Sequence, residues 1–352
     1  MNRNHAFLNI IGAAALAAAV TTHASAQSVT TDPVGVVKKT IAAGTGSSHV
    51  ITLLSLPMLD KPTDLTGKSV GTVSAFTADT ISDDAAGWAA GELSQEASPR
   101  LVKITSGNAE GLVMLISTET QNTATTLTID DAESSVIDLT AVGLAQGDSY
   151  CILNCDTLLS AFGTPDTSGV LGGTAKQNAD YVMLLNEIGW RSYFYSTDSD
   201  EWVLVQRGFP AADNVPLKPD TGIIYARLGD TGLEVQLSGA VPTTDSLSFV
   251  DGSGVSFLGV NWPTDRQLQN SGIKDVPGWV ADSDFVNSDY IILLTDLGWE
   301  KFWYDGTNWR RNVRGFPISD EYVIESPNSI MVVKRSATDN QFLSEANPYN
   351  FN

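Results

Sequence analysis

Histidine is scarce: of three in a chain of 352, His5 and His23 fall near the amino terminus and only His49 lies beyond them. A zinc site built from several histidines of one chain is thereby excluded, and any Ser-His-Asp or Cys-His mechanism would have to use His49. That residue sits in GlySerSerHisValIleThrLeuLeu, at the entry to an expected strand, and the chain has no nucleophile elbow. An ordinary strand-end histidine is the simpler reading. Basic residues are also few, 20 Lys and Arg against 41 Asp and Glu, for a formal charge of −21. An acidic surface of this size argues against nucleic acid and anionic membrane as partners and suits solubility. Long apolar runs are missing too, since no segment approaches the roughly 20 residues that a transmembrane helix needs.

Recognisable catalytic machinery is absent in the same way. No Walker loop, dinucleotide fingerprint or EF-hand spacing occurs, so no cofactor or metal is expected. Ser271-Gly-Ile-Lys274 fits a serine-x-x-lysine pattern, but its companion motifs are not there. A pair of distant carboxylates acting on a glycoside is the one enzyme class that a linear reading leaves open. Cysteine is limited to Cys151 and Cys155. They form a candidate disulfide, which needs a turn near Leu153-Asn154, because an extended strand would hold them about 13 Å apart, beyond disulfide reach.

What is present begins with the first 26 residues. Arg3, the alanine-rich apolar run from Ala6 to Val20 and the closing Ala24-Ser25-Ala26 have the layout of a cleavable secretory signal. The mature protein is expected to start at Gln27, outside the cytoplasm, as a periplasmic, cell-surface or extracellular protein.

The most informative stretch occurs twice. Asn178 to Pro210 reads NADYVMLLNEIGWRSYFYSTDSDEWVLVQRGFP and Asn287 to Pro317 reads NSDYIILLTDLGWEKFWYDGTNWRRNVRGFP. One register carries Asp180 onto Asp289, Gly189 onto Gly298 and Tyr195 onto Tyr304, and then a polar turn shortens before Trp202 and Trp309. Turns at the surface tolerate such a change. The runs are short, aromatic and β-branched, so each copy is expected to be a three-stranded meander. Only Asp180 to Glu187 could equally be a short buried helix. Leu233 to Val241 reads as a connecting strand without a second counterpart.

Short apolar or alternating runs punctuated by Ser106-Gly107-Asn108, Gln121-Asn122 and Ala145-Gln146-Gly147-Asp148 also mark the region before Tyr150. The expected architecture is therefore all-β: a small barrel or sandwich over 27–150, then repeat units over 151–241 and 242–352.

Trp190 to Trp309 holds most of the eight tryptophans. On an extended strand Trp190 and Phe194 share one face and Tyr193 and Tyr195 the other, while Trp299 and Trp303 oppose Phe302 and Tyr304. If one face lines a core, the other presents rings that could stack on sugars or pack on a protein. Tyr193, Tyr195, Phe302 and Tyr304 are the candidate ligand-binding residues, with core packing of both faces as the simpler alternative. The acidic turns at Asp198, Asp200 and Glu201 and at Asp305 and Asn308 read as hairpin chemistry. ArgGlyPhePro recurs because glycine supplies a positive φ and proline ends a ladder.

The Asp32-Pro33-Val34-Gly35 opening, IleThrSerGlyAsnAlaGluGly from Ile104 to Gly111, and TyrAspGlyThrAsnTrp from Tyr304 to Trp309 resemble an uncharacterised family of exported, paralogous bacterial proteins. The resemblance implies export and β structure and supplies no catalytic residue. The expected function is a non-catalytic structural or interaction protein of the cell envelope or extracellular space, with an envelope protein or a polysaccharide as partner. A carbohydrate-binding role for the repeat aromatics is the alternative, and a glycoside hydrolase comes third.

Overall fold

The repeated apolar runs form strands because their side chains divide alternately between two environments. In Tyr181–Asn186, Val182 and Leu184 are buried while Tyr181, Met183 and Leu185 are half-buried; in Tyr290–Thr295, Ile291 and Leu293 take the buried places. Period two is the signature of a strand with both faces packed, so the helical alternative over this run does not hold. The structure is a computed structural model that describes residues 33–130, 138–186, 188–335 and 341–349. The expected signal, residues 1–26, lies outside the described residues.

The class is all-β, as expected, with antiparallel sheets and no closed barrel among the described residues. Each copy builds one five-stranded sheet. Sheet I runs Glu201–Leu204, Gly189–Ser196, Tyr181–Asn186, Ile223–Arg227 and Val50–Leu54, and sheet II runs Trp309–Arg311, Gly298–Tyr304, Tyr290–Thr295, Ser329–Lys334 and Gly254–Gly259. A two-stranded ribbon flanks each: Val34–Ile41 with Leu233–Ala240, and Ser246–Val250 with Gln341–Glu345.

This arrangement changes the expected boundaries. Val34–Ile41 and Val50–Leu54 were expected in an amino-terminal domain spanning 27–150, yet they complete the sheet and ribbon of the first copy. The strand Leu233–Ala240 also has its counterpart, Gln341–Glu345. The duplicated unit is thus larger than its visible repeat, and the first copy is split by an insert. That insert stacks a four-stranded sheet (Val70–Thr72, Ser149–Asn154, Arg100–Ile104, Val113–Leu115) on a three-stranded one (Ala75–Phe76, Thr80–Ser82, Thr126–Thr128). Ile81, Val102, Met114, Leu127 and Ile152 fill the space between them, a sandwich arrangement. The described residues form one compact unit.

Each copy has its own core. Val182, Tyr193, Tyr195, Trp202 and Tyr225 centre the first; Ile291, Phe302, Trp309, Ile330 and Val332 centre the second. The opposite faces of the two sheets meet along a seam of Leu53, Ile224 and Phe257, with Met183, Leu185, Leu294 and Met331 packed around it. Fully burying side chains of this size contributes roughly 1.5–3 kcal/mol each.

A buried carboxylate ties each copy together. Asp180 accepts hydrogen bonds from Leu171 N at 2.9 Å, Leu228 N at 2.8 Å, the Tyr225 hydroxyl at 2.9 Å and the Arg227 guanidinium. Asp289 accepts from Val280 N and Arg335 N, both at 2.8 Å, with Lys334 Nζ 3.9 Å away. Both carboxylates are fully buried. Buried charge is tolerated only when paired and hydrogen-bonded, and both aspartates meet that condition. A second aspartate closes the third strand in each copy, Asp213 accepting from Trp202 N at 2.8 Å and Asp320 from Trp309 N at 2.7 Å. In the ArgGlyPhePro turns Gly208 and Gly315 both have φ 89°, and Phe209 and Phe316 follow at 44° and 46°.

Candidate functional site

A cleft of about 780 Å³ opens between the two copies. One wall comes from the first copy, with Lys39, Thr40 and the stretch His49 to Leu53. The second copy supplies the other, through the sheet II hairpin from Leu293 to Gly298, then Glu300, Arg311 and Ser329 of that sheet and Tyr322, Glu325 and Asn328 of the connecting loop. Lys39 Nζ spans the two walls to Asn328 Oδ1 at 2.9 Å.

The register of sheet II explains why charged groups gather there. Glu300 pairs with Leu293 across the ladder and Arg311 with Phe302, so both lie on the core face but at its open end. There the Glu300 carboxylate accepts from the Arg311 guanidinium. Arg311 Nε and Ser329 Oγ have no hydrogen-bond partner among the described residues, although both atoms are buried and their residues line the cleft. Such groups cost free energy until something supplies the missing partner. Burial lowers the pKa of the Lys39 ammonium, with Glu325 and Asp265 opposing the shift. Burial raises the Tyr322 phenol, and nearby Glu300 adds to the effect.

At matching positions the first copy has other side chains: Arg191 for Glu300, Leu204 for Arg311, Val215 for Tyr322, Lys218 for Glu325 and Gly222 for Ser329. It also has no room. A Cβ at Gly222 would meet the Phe257 ring at 2.8 Å, and Trp190 stacks on that same ring at 5.4 Å. The seam aromatics fill the space that stays open beside sheet II.

The structure places the aromatic candidates mostly inside. Tyr193 and Tyr195 belong to the first core and Phe302 to the second. They offer no ring face to a ligand, because theirs is the face turned to the core. Tyr195 donates its hydroxyl to Asp200 O and Asp200 Oδ1, both at 2.9 Å, and burial together with that carboxylate pushes its pKa up to about 12. Tyr304 is half-buried against Trp309, 5.9 Å between ring centres. The rings that reach the surface are others. Trp190 and Trp299 are half-exposed at the start of their strands, and Phe209 and Phe316 cap the ArgGlyPhePro turns by stacking edgewise on Phe194 and Trp303. Beside the tryptophans, Ile188 and Leu297 tip their hairpins at 81% and 79% exposure.

The remaining expectations fall into place around these. His49 lines the cleft, but its Nε2 is 2.9 Å from Ala179 O and its ring packs edgewise on Tyr181, a strand-end role. Asp305 caps its own turn, accepting from Thr307 N and Asn308 N at 2.8 Å. Among the described residues, no three of His, Cys, Asp and Glu converge in a way that could hold a metal ion. Cys151 lies in the strand Ser149–Asn154 and Cys155 just beyond it, both buried with Leu101 and Leu153. The candidate disulfide required a turn at Leu153-Asn154, and the strand instead runs straight through both residues.

Sequence reasoning missed Lys39, Glu300, Arg311, Tyr322, Glu325 and Ser329. For all but Lys39, which lies outside the visible repeat, the signal was available in the repeat itself: in a frame that repeats its aspartates, glycines and core positions, these are places where the copies exchange charge or polarity. No protein-family model matches the chain, and no curated protein or solved structure matches it.

Proposed function

We propose that this chain is an exported, non-catalytic interaction protein of the cell envelope or extracellular space, and that the cleft between its repeats receives a carbohydrate. The observation that carries this reading is the pair of buried donors without a partner among the described residues, Arg311 Nε and Ser329 Oγ, on the wall of an open cleft. The lining joins carboxylates, cations, a phenol and an amide, so it offers donors and acceptors without strong charge of one sign. That composition fits a neutral, hydroxyl-rich chain. Trp299 adds a stacking surface, since it pairs across the ladder with the cleft residue Leu294 and keeps its ring half-exposed. The secretory pattern of residues 1–26 supports export.

Binding is favoured over glycoside cleavage because Glu300 is held by Arg311, whereas cleavage calls for one carboxyl poised to give up a proton. A glycan array probed with the secreted chain tests the proposal. Saturable binding that weakens in Ser329→Ala and Trp299→Ala is expected, the serine change costing about three- to tenfold for one hydrogen bond. Release of reducing ends, lost in Glu325→Gln, would replace binding by hydrolysis. The second reading, a protein partner in the envelope, is favoured by the exposed Ile188 and Leu297 hairpin tips. It becomes the better account if no glycan binds.

A further inference from the structure

A second cavity, of about 500 Å³, lies where the insert meets the first copy. Its floor is the outer face of the four-stranded sheet, on which Lys103 faces Cys151, Cys151 faces Val70, and Thr72 faces Ser149 across the ladders. Leu59 and the segment from Ala240 to Thr244, which leads from the first copy to the second, form the roof. Lys103 is 4% exposed, and its ammonium has no hydrogen bond or ion pair among the described residues. Thr244 Oγ1, in the roof, is buried without a partner as well. Lys61 lines the same cavity, and Glu110 and Asp245 lie near enough to act on Lys103 electrostatically without reaching ion-pair distance. Burial lowers the Lys103 pKa, against the opposing influence of Cys151, Glu110 and Asp245.

An enclosed ammonium without a counter-ion is costly, and here it sits at the bottom of an open cavity rather than in a sealed core. The cavity lies within the usual range of small-molecule sites, with mostly apolar walls and a few convergent polar groups. We propose that it binds a small amphipathic carboxylate, with the carboxylate on Lys103 Nζ beside Thr105 and Ser149 and the apolar part against Leu59, Val70 and Val241. The ligand supplies the anion that the fold withholds. This inference is independent of the carbohydrate reading of the other cleft.

Calorimetric titration of the secreted chain with octanoate, 1-octanol and inorganic phosphate tests it. Octanoate should bind, Lys103→Met should weaken it about ten- to a hundredfold, and octanol should bind weakly and equally to both proteins. Thr105→Val, which keeps the lysine, should weaken octanoate a few-fold. Without any probe Lys103→Met should raise the melting temperature, because it removes a buried charge that lacks a counter-ion. No octanoate binding, equal affinity in Lys103→Met, octanol as tight as octanoate, or a preference for phosphate would each overturn the proposal. A variant that melts lower or fails to fold would do so too, by making Lys103 a structural residue.

Discussion

The two copies agree wherever the backbone needs holding and differ where a cleft wall needs chemistry. Asp180 and Asp289 occupy the same place, accept matching backbone donors and face a cation on the same neighbouring strand. Asp213 and Asp320 repeat a second backbone contact, and the ArgGlyPhePro turns repeat their dihedral angles closely. Against that constant frame, Arg191 and Glu300 carry opposite charge, as do Lys218 and Glu325, and Gly222 faces Ser329. A duplicated fold can keep one copy closed by packing while the other specialises, because the frame contacts and the cleft contacts use different residues.

The largest expected effect comes from breaking the frame. Asp180→Ala takes the carboxylate from the buried Arg227 charge, which keeps the Thr231 and Gly169 carbonyls, and takes the acceptor of the Tyr225 hydroxyl, and should cost about 3 to 5 kcal/mol in urea unfolding. Asp289→Ala should cost less, because Lys334 Nζ stands 3.9 Å from that carboxylate and is held instead by Gly278 O at 2.8 Å and Pro277 O at 3.3 Å, whereas Asp180 bonds directly to the Arg227 guanidinium and the Tyr225 hydroxyl. Equal losses would contradict the difference drawn between the two pairs. Next in size is a change that should affect both copies alike. Alanine at Gly208 or Gly315 meets no atom within 4 Å, so only the left-handed backbone opposes it, at about 1 to 2 kcal/mol for either site.

Much of that frame was legible in the sequence. The repeat announced itself through Gly189 and Gly298, Trp202 and Trp309, and the two ArgGlyPhePro turns, and period two marked the strands. The first strands of each copy were not legible as a pair. Ser246–Val250 shares with Val34–Ile41 only a pattern of alternating burial, and Gly254–Gly259 shares with Val50–Leu54 only a run of buried residues at its end, patterns that constrain burial and leave residue identity free. The insert then separates Val50–Leu54 from the rest of its copy. Tyr193, Tyr195 and Phe302 illustrate the same limit at the site: periodicity shows that two faces differ, but not which one meets a core. Lys103 is another case, since a lysine on an apolar strand reads as solvent-facing until the first copy is seen to cover that face.

Smaller effects sharpen the comparison further. Tyr195→Phe removes hydroxyl bonds to Asp200 and should cost about 0.5 to 1.5 kcal/mol, while Tyr304→Phe, whose hydroxyl makes no such bond, should leave the unfolding midpoint unchanged. The smallest effect is a pH dependence. Burial holds the Lys39 pKa below 10.5, so the unfolded chain binds that proton more tightly than the folded one. The penalty for burying the charge applies in full below the folded pKa and is relieved as pH rises through it towards 10.5. Measured against Lys39→Met to cancel other groups, wild-type stability should therefore gain as pH climbs from neutrality; a loss over the same range would show the sign to be wrong.

The central claim, that one frame is built twice and that the second copy has exchanged side chains to give the cleft its charged wall, has a direct measurement. The triple variant Glu300→Arg, Arg311→Leu, Ser329→Gly gives sheet II the side chains that sheet I carries at Arg191, Leu204 and Gly222. Its unfolding midpoint and its glycan-array profile should be compared with those of the parent chain. The account predicts similar unfolding and a glycan bound by the parent but not by the variant. Equal binding by both proteins, or no glycan bound by the parent, would contradict it.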